Sequence, residues 1–450
     1  LYNAASYFDF FVTVGFIANN TEQIVYKDLY YPAAIIKFLK SLAPDKSPVI
    51  LFGGNGTEHR YIYDPPIDSR LWLWEAAASA GGFWNCYFNG SFPANTLDRR
   101  NAYMATDAYK YIQDNASLLQ ELQPVTDVAI FYSKSTGQLL GDKDFSLALQ
   151  GTLKLMEEAH YQYGFVSDHN LTIEQLEKYK VLIMPNVAAI SDDHAQIIEE
   201  WIEQGGKLIA TYQTSLFDEK GKARSNFAFN KAFGVSFTGE AVNTNKDFYQ
   251  KIITRNEISK GFELTELLHN AGNTLMTDAA EEAVIVTGYL PQINNQPPEN
   301  AYPENWNSDR PIVVMHDHGK GQVVYFANEV AKLNYTVGHP DYHELLVNSI
   351  NALLGKHEVL MTNAPSSVHI YLNRSTKDTS TYQLALVNTT SGSQRPLRDL
   401  VPVSTINIEL PHNIKSYTPL VKYSDTEIIV EGNRITINNL NEFYSLKMKL

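Results

Sequence analysis

"VLIMPNVAAISDDHAQIIEEWIEQGGKLIATY", residues 181–212, decides the fold class of the middle of this chain. With Lys180 before it, it opens as "KVLIMPN" (180–186), an apolar run of the length of a buried strand. Ser191 then stands where a helix N-cap belongs, with Asp192 and Asp193 in the first turn. The helical pattern stops at Gly205-Gly206, and "KLIATY" (207–212) is a second buried strand. Strand, helix, strand is the unit of a parallel sheet.

The same rhythm extends in both directions. "DVAIFYS" (127–133) predicts a strand and "DFSLALQGTLKLMEEAH" (144–160) an amphipathic helix. Thr172, with Gln175 three residues on, forms a capping box. "AVIVTGY", "PIVVMH" and "GQVVYFA" follow as strands, and "DYHELLVNSINALLG" (341–355) as a last helix. Residues 123–356 therefore predict a doubly wound α/β domain, with a polar insertion around 291–309. After it the period changes. "SVHIYLNRS", "YQLALVNTT", "TINIELP", "TEIIVEGNRITINNL" and "YSLKMKL" alternate in twos between turn residues, so 357–450 predicts an all-β sandwich.

Upstream, 1–122 alternates as well. "FDFFVTV" (8–14), "PVILF" (48–52) and "FWNCYF" (83–88) predict strands. Between them lie helices at 30–42 and at 67–82, the second stopping at Gly81-Gly82. A long helix is expected over 99–122. This is βαβαβα, the rhythm of a parallel sheet or of a (β/α) barrel. The chain opens at Leu1 in what reads as mid-domain, so a preceding segment is expected.

The strand at 48–52 opens into Gly53-Gly54-Asn55-Gly56, followed by Glu58, His59 and Arg60. Such a loop at a strand end is where enzymes place chemistry. Glu58 is the best carboxylate for a catalytic role, against the plainer reading of an exposed loop acid. Asn55, His59, Arg60, Trp84, Asn85, Tyr87 and Asn89 are candidate substrate contacts, by stacking and hydrogen bonding, against rim packing. Glu22 is a weaker carboxylate candidate, and Asp64 and Asp68 read as turn or cap residues.

Other chemistries fit less well. A net charge of −14 argues against a nucleic-acid partner. The single cysteine, Cys86, forms neither an internal disulfide nor a thiolate metal cluster. His316-x-His318 puts two imidazoles on one strand face, without an evident third ligand. Gln213-Thr214-Ser215, after the strand at 207–212, is neither a G-x-C-x-G nor a G-x-S-x-G elbow. Glu157-Glu158 and Glu199-Glu200 read as solvated helix faces. No cofactor, metal or membrane span is expected. With no signal peptide visible, the cytoplasm is the favoured compartment.

Several stretches carry a resemblance: "LWLWEAAASAGGFWNCYFNG" (71–90), 181–221, "FGVSF" (233–237), "GKGQVVYFANEV" (319–330) and "HPDYHELLVNSINALLG" (339–355). Together with the domain order they resemble the C-terminal two-thirds of glycoside hydrolase family 42 β-galactosidases. The resemblance implies that 1–122 is the C-terminal part of a (β/α)8 TIM barrel. It implies that 123–356 is a trimerisation domain of glutamine-amidotransferase-like fold, and 357–450 a β domain. A carbohydrate substrate and a homo-oligomer, by resemblance a trimer, are implied too. So is hydrolysis of O-glycosidic bonds by a parent enzyme of which this chain is a fragment or a shortened relative. The family's acid/base carboxylate lies on an earlier barrel strand, absent here. Its nucleophile ends the strand that aligns with 49–52, where this chain has Phe52-Gly53-Gly54. The alternative is a carbohydrate-binding or assembly protein that has lost its carboxylates.

Overall fold

The computed structural model describes residues 10–19, 25–55, 65–86, 97–139, 143–291, 297, 299, 303, 306–308, 310–355, 359–421 and 425–450. Two compact units form: Leu1–Thr126 with His160–Gly164 and Glu358–Leu450, and Asp127–Ala159 with Phe165–His357.

The first unit opens with β1 (Phe10–Asn19), β2 (Val25–Tyr26), α1 (Tyr31–Leu42), β3 (Ser47–Asn55), α2 (Pro66–Ala78) and β4 (Gly82–Asn85). The sheet order is β2-β1-β3-β4, with β1, β3 and β4 parallel and β2 antiparallel at the edge. Pro32 sits in the first turn of α1, where its missing N–H is not needed. The expected glycine cap of α2 is displaced by one residue. Ala80 takes the left-handed conformation (φ 58°), Ala80 N–H bonds Ala77 O, and Gly81 N–H bonds Ala76 O, a Schellman arrangement. Gly81 serves close packing instead: a Cβ there would lie 2.3 Å from Ile36 Cδ1.

The single helix expected over 99–122 is two, α3 (Arg100–Met104) and α4 (Thr106–Leu119), followed by the short strand β5 (Leu122–Pro124). Ala105 N–H bonds Tyr103 O and interrupts the ladder. No Gly or Pro within 99–122 signals that break.

The second unit runs β6 (Val128–Tyr132), α5 (Lys134–Leu139), α6 (Lys143–Glu158), β7 (Tyr163–Ser167), α7 (Ile173–Leu176), β8 (Val181–Met184), α8 (Asp192–Glu203), β9 (Lys207–Thr211) and α9 (Asn230–Phe233). It continues through β10 (Val235–Ile252), β11 (Leu267–Ala279), β12 (Val284–Leu290), β13 (Pro311–His318), β14 (Gly321–Phe326), α10 (Val330–Thr336) and α11 (Pro340–Leu354). These strands make one nine-stranded sheet, β11-β10-β12-β13-β14-β9-β8-β6-β7. From β14 through β9 and β8 to β6 the pairing is parallel; from β11 to β14 it is antiparallel. Half the sheet thus departs from a doubly wound order. The long β10–β11 hairpin lacks the short, evenly alternating pattern that marks a strand in sequence.

Local signals elsewhere are realised. Ser191 Oγ accepts from His194 N–H at 3.2 Å, and Thr172 Oγ1 from Gln175 N–H at 3.1 Å. The core gathers Phe131, Leu182, Met184, Ile198, Trp201, Leu208, Phe233 and Tyr325. Gly151 lets α6 reach α10, since a Cβ there would lie 1.8 Å from Ala331 O. Glu157, expected on a solvated face, is buried at 3% exposure on the packed side of α6.

The rest of the first unit is β15 (Met361–Thr362), β16 (Val368–Ser375), β17 (Thr381–Asn388), β18 (Val403–Glu409), β19 (Ser416–Pro419), β20 (Glu427–Glu431), β21 (Arg434–Leu440) and β22 (Phe443–Lys449). They form two sheets, β15-β18-β21-β20 and β19-β22-β17-β16-β5. Ile370, Leu372, Leu384, Leu386, Ile406, Ile408, Ile435 and Ile437 fill the space between them. The fifth strand of the second sheet, β5, comes from residues 122–124 and pairs with β16. α2 is apolar on nearly every side because it is covered on nearly every side. Trp74 stacks on Phe443 at 4.3 Å, with Ala385 and Val387 in the same cluster.

Candidate functional site

The parallel layer of the first unit has a packed face and an open one. Side chains alternate along each strand. Ile17 and Ile50 point to the packed face with Ile36, Leu71 and Trp72. Phe10, Val12 and Val14 of β1 and Trp84 of β4 point the other way and are 52%, 41%, 53% and 55% exposed. The register places Val14, Leu51 and Trp84 in one row across the three strands. A row of large apolar side chains on the helix-free face of a parallel layer is what a barrel interior presents.

The strands' carboxyl ends are Asn19, Asn55 and Asn85. Ala18 is level with Asn55, and Phe52 with Asn85. Trp84 and Asn85 are successive and so face opposite sides: Trp84 lies on the open face, whereas Asn85 is buried on the packed one, its N–H donating to Tyr109 Oη at 3.1 Å. Glu58, His59, Arg60, Tyr87 and Asn89 lie outside the described residues, as do Glu22 and Asp64; Asn55 is described only as backbone at the end of β3. No Asp or Glu occurs within β1, β3 or β4.

The buried carboxylates of this unit hold structure. Asp68 caps nothing: it is fully buried and accepts from Arg395 Nε at 2.6 Å and from Leu397 N–H at 2.7 Å. Glu75, also fully buried, accepts from His369 Nδ1 at 2.7 Å and from the Tyr371 hydroxyl. The Lys37 ammonium sits over the Tyr163 ring at 3.7 Å and the Tyr371 ring at 4.8 Å. Lys40 donates to Leu122 O at 2.8 Å, and burial pushes its pKa down to about 8. Burial pushes Tyr111 up to about 12, although its hydroxyl bonds Ser445 and Gln383. Sequence reading missed the Glu75 network. A lone carboxylate inside "LWLWEAAASA" was its signal, because an acid in an all-apolar helix needs a buried partner.

In the second unit the strand order reverses between β6 and β8, the point where open α/β sheets bind ligands. That crevice is filled. Ala189 O accepts from Ser133 Oγ (3.2 Å), Ala189 N–H donates to Thr136 Oγ1 (3.0 Å), and Val187, Ala188 and Ala189 are fully buried. After β9, Thr214 Oγ1 donates to Thr211 O, and Ser215 (φ 69°) is fully buried with its N–H on Val187 O. No nucleophile faces solvent on that turn.

The rings of His316 and His318 are 6.5 Å apart. Glu199 and Glu203 of α8 come within 3.7 and 3.6 Å of His318 Nε2, closer than the sequence suggested. His316 Nδ1 lies against Ala232 O at 3.1 Å instead. Among the described residues, no group of three His, Cys, Asp or Glu is placed to hold a metal ion, and no helix is long and apolar enough to cross a membrane.

Residues 158–337 match the family described as the β-galactosidase trimerisation domain. No curated protein matches the sequence. Among solved structures, the chain is similar to α-L-fucosidase isoenzyme 2 from Paenibacillus thiaminolyticus, with a TM-score of 0.73 and 16% identity, over 94% of this chain and 63% of that one. It is similar to the β-galactosidase from Rahnella sp. R3, with a TM-score of 0.70 and 13% identity, over 100% and 61%. A catalytic mutant of a GH42 β-galactosidase from G. stearothermophilus gives 0.68 and 14%, also over 100% and 61%. At these identities the likeness is one of fold, and the chain spans somewhat under two-thirds of each of these proteins. The middle of the chain thus carries the match to the β-galactosidase trimerisation domain, within a fold similar to those of GH42 β-galactosidases.

Proposed function

We propose that this chain is the C-terminal portion, or a shortened relative, of a GH42-like glycoside hydrolase that cleaves O-glycosidic bonds. In this reading 1–122 is the C-terminal part of a (β/α)8 barrel, 123–356 a trimerisation-type domain of amidotransferase-like fold, and 357–450 a β-sandwich domain. One observation carries it: β1, β3 and β4 run parallel with helices on one face, while Phe10, Val12, Val14 and Trp84 stand exposed on the other. An apolar sheet face of that kind is stable once further strands close over it.

Retaining glycosidases place two carboxyl groups about 5–5.5 Å apart, one as nucleophile and one as acid/base. Glu58 follows the end of β3 and supplies one. The other belongs to the barrel strands that close the open face. Trp84 offers an aromatic platform for a sugar ring, and Asn55, His59, Arg60, Tyr87 and Asn89 are further candidate substrate contacts from the sequence. The filled crevice of the second unit supports a scaffolding role there, with assembly into a homo-oligomer, by resemblance a trimer.

The test begins with the intact mass of the protein made by its own cell. A mass above 50.7 kDa by roughly 20–30 kDa, for about 200–250 further barrel residues, is expected. That full-length protein is then labelled with a 2-deoxy-2-fluoro glycoside and its peptides are mapped. A label on the peptide carrying Glu58 supports its role as nucleophile. Labelling elsewhere moves the nucleophile off Glu58. No labelling and no turnover of aryl glycosides overturns the hydrolase reading in favour of a binding or assembly protein.

A further inference from the structure

β11 (Leu267–Ala279) ends the nine-stranded sheet, and β10 pairs with only one side of it. Its outer edge carries every second N–H and C=O, which template pairing with another chain. Natural edge strands protect themselves with lysine, proline, a bulge or shortness. β11 is thirteen residues long and has neither lysine nor proline. "LLHNAGNTLMT" (267–277) contains no Asp, Glu, Lys, Arg or Pro. At both irregularities of the β10–β11 ladder the extra residues belong to β10, and Gly272 of β11 stands beside the second.

The structure covers that edge from elsewhere in the chain. His269 N–H donates to Asp341 Oδ2 at 2.8 Å. Ala271 N–H bonds the Tyr342 hydroxyl. Asn273 N–H donates to Glu329 Oε2 at 2.7 Å, and Asn273 Nδ2 to the same oxygen at 3.0 Å. Leu275 N–H donates to Ala327 O at 2.9 Å, beside the bridge between Thr274 and Asn328. Four successive outward N–H groups thus find acceptors on 327–342, two of them carboxylates.

The cover is itself held in place. Glu329 is buried at 3% exposure, and its Oε1 accepts from Lys332 Nζ at 2.8 Å; the same ammonium reaches Asp144 at 2.9 Å. Gly272 (φ 70°) leaves room for it, since a Cβ there would lie 2.7 Å from Glu329 Oε2. Tyr342 Oη, taking the Ala271 N–H, lies 2.7 Å from His269 Nδ1, and the His269 ring stacks on His339 at 4.7 Å.

We propose that Glu329 and Asp341 are edge guards: by occupying the outward N–H groups of β11 they prevent its pairing, strand to strand, with β11 of a second copy of this chain. A second copy is the occupant that fits best. A strand without charged residues over 267–277 can pair with its own copy in antiparallel register about a two-fold axis, with no like charges brought opposite each other. The proposal does not depend on the carbohydrate reading, because it concerns assembly alone.

The experiment compares the unaltered chain with the double variant E329A/D341A. Hydrogen exchange at the amides of His269 and Asn273 reports the guard, and sedimentation velocity over a range of concentrations reports assembly. Loss of a charge-assisted hydrogen bond raises local exchange by on the order of 10–100-fold. The double variant is expected to show that rise and a new, concentration-dependent larger species. Circular dichroism checks that it is folded. The triple variant E329A/D341A/A271K adds an edge charge without restoring the guard, and is expected to abolish the larger species while exchange stays fast. Unchanged exchange in the double variant overturns the proposal. So does a larger species that survives A271K, which would mark general unfolding. If the double variant fails to fold, E329Q and D341N are read singly in the same assays, and exchange confined to the unaltered rate in both refutes the guard.

Discussion

Lys40 offers a test of whether the first unit is packed as described. Lys40 is 6% exposed and its ammonium donates to the carbonyl of Leu122, the residue that begins β5. Burial disfavours the charged form and takes the pKa from 10.5 to about 8. In the unfolded chain the lysine keeps its proton to about pH 10.4. Between about pH 8 and pH 10.4 the unfolded state therefore binds more protons than the folded one, and stability rises with pH. Below about pH 8 both states are charged and the full desolvation cost is present. At about 1.4 kcal/mol per pH unit, the gain across this window is about 3 kcal/mol. Lys40→Met removes the charge and leaves Leu122 O without its donor, a loss of about 1 kcal/mol. The substitution should thus stabilise the protein at pH 7 by about 2 kcal/mol, and the advantage should vanish or reverse by pH 10.4. Urea denaturation followed by tryptophan fluorescence, at several pH values, measures both proteins; their difference cancels every other titrating group. A difference that stays constant from pH 7 to pH 10.4 would refute the buried-ammonium reading.

Glu75→Ala strips the acceptor from His369 and Tyr371, and should cost about 3–5 kcal/mol in thermal or chemical denaturation, with Glu75→Gln costing less. Gly151→Ala forces α6 away from Ala331 O and should cost at least about 1–3 kcal/mol, read from the urea midpoint of the second unit. Ser191→Ala removes the cap on His194 N–H and should cost about 1 kcal/mol by the same assay. Trp84→Ala should leave stability within about 0.5 kcal/mol, since the ring is exposed, while weakening saccharide binding by the full-length protein; unaltered binding would remove Trp84 from the site.

Much of the fold is legible in residues taken a few at a time. The strands at 128–132, 181–184 and 207–211 carry unbroken apolar runs, and a parallel strand buried on both faces requires them. Ser191 and Thr172 mark their helix starts because a cap is a contact between residues three apart. The period change after residue 357 reveals the β-sandwich for the same local reason. The candidate site is less legible. Trp84 and Asn85 are both candidate contacts in the sequence, and nothing in "GFWN" says which of them faces the open side.

Four features needed the tertiary structure. β5 joins the five-stranded sheet through pairs some 250 residues apart, as between Leu122 and Ser375. The break at Ala105 has no Gly or Pro to announce it. Asp68 and Glu75 become the anchors of Arg395 and of His369 and Tyr371, partners roughly 300 positions away. Glu329 and Asp341 become caps for a strand edge 56 and 72 residues upstream. Periodicity, capping and turn chemistry act over a few residues, so the sequence alone determined the short buried strands, the capped helices and the α/β-then-β order. Charge pairing, sheet edges and close glycine contacts depend on which distant surfaces meet, and only the folded chain decides that.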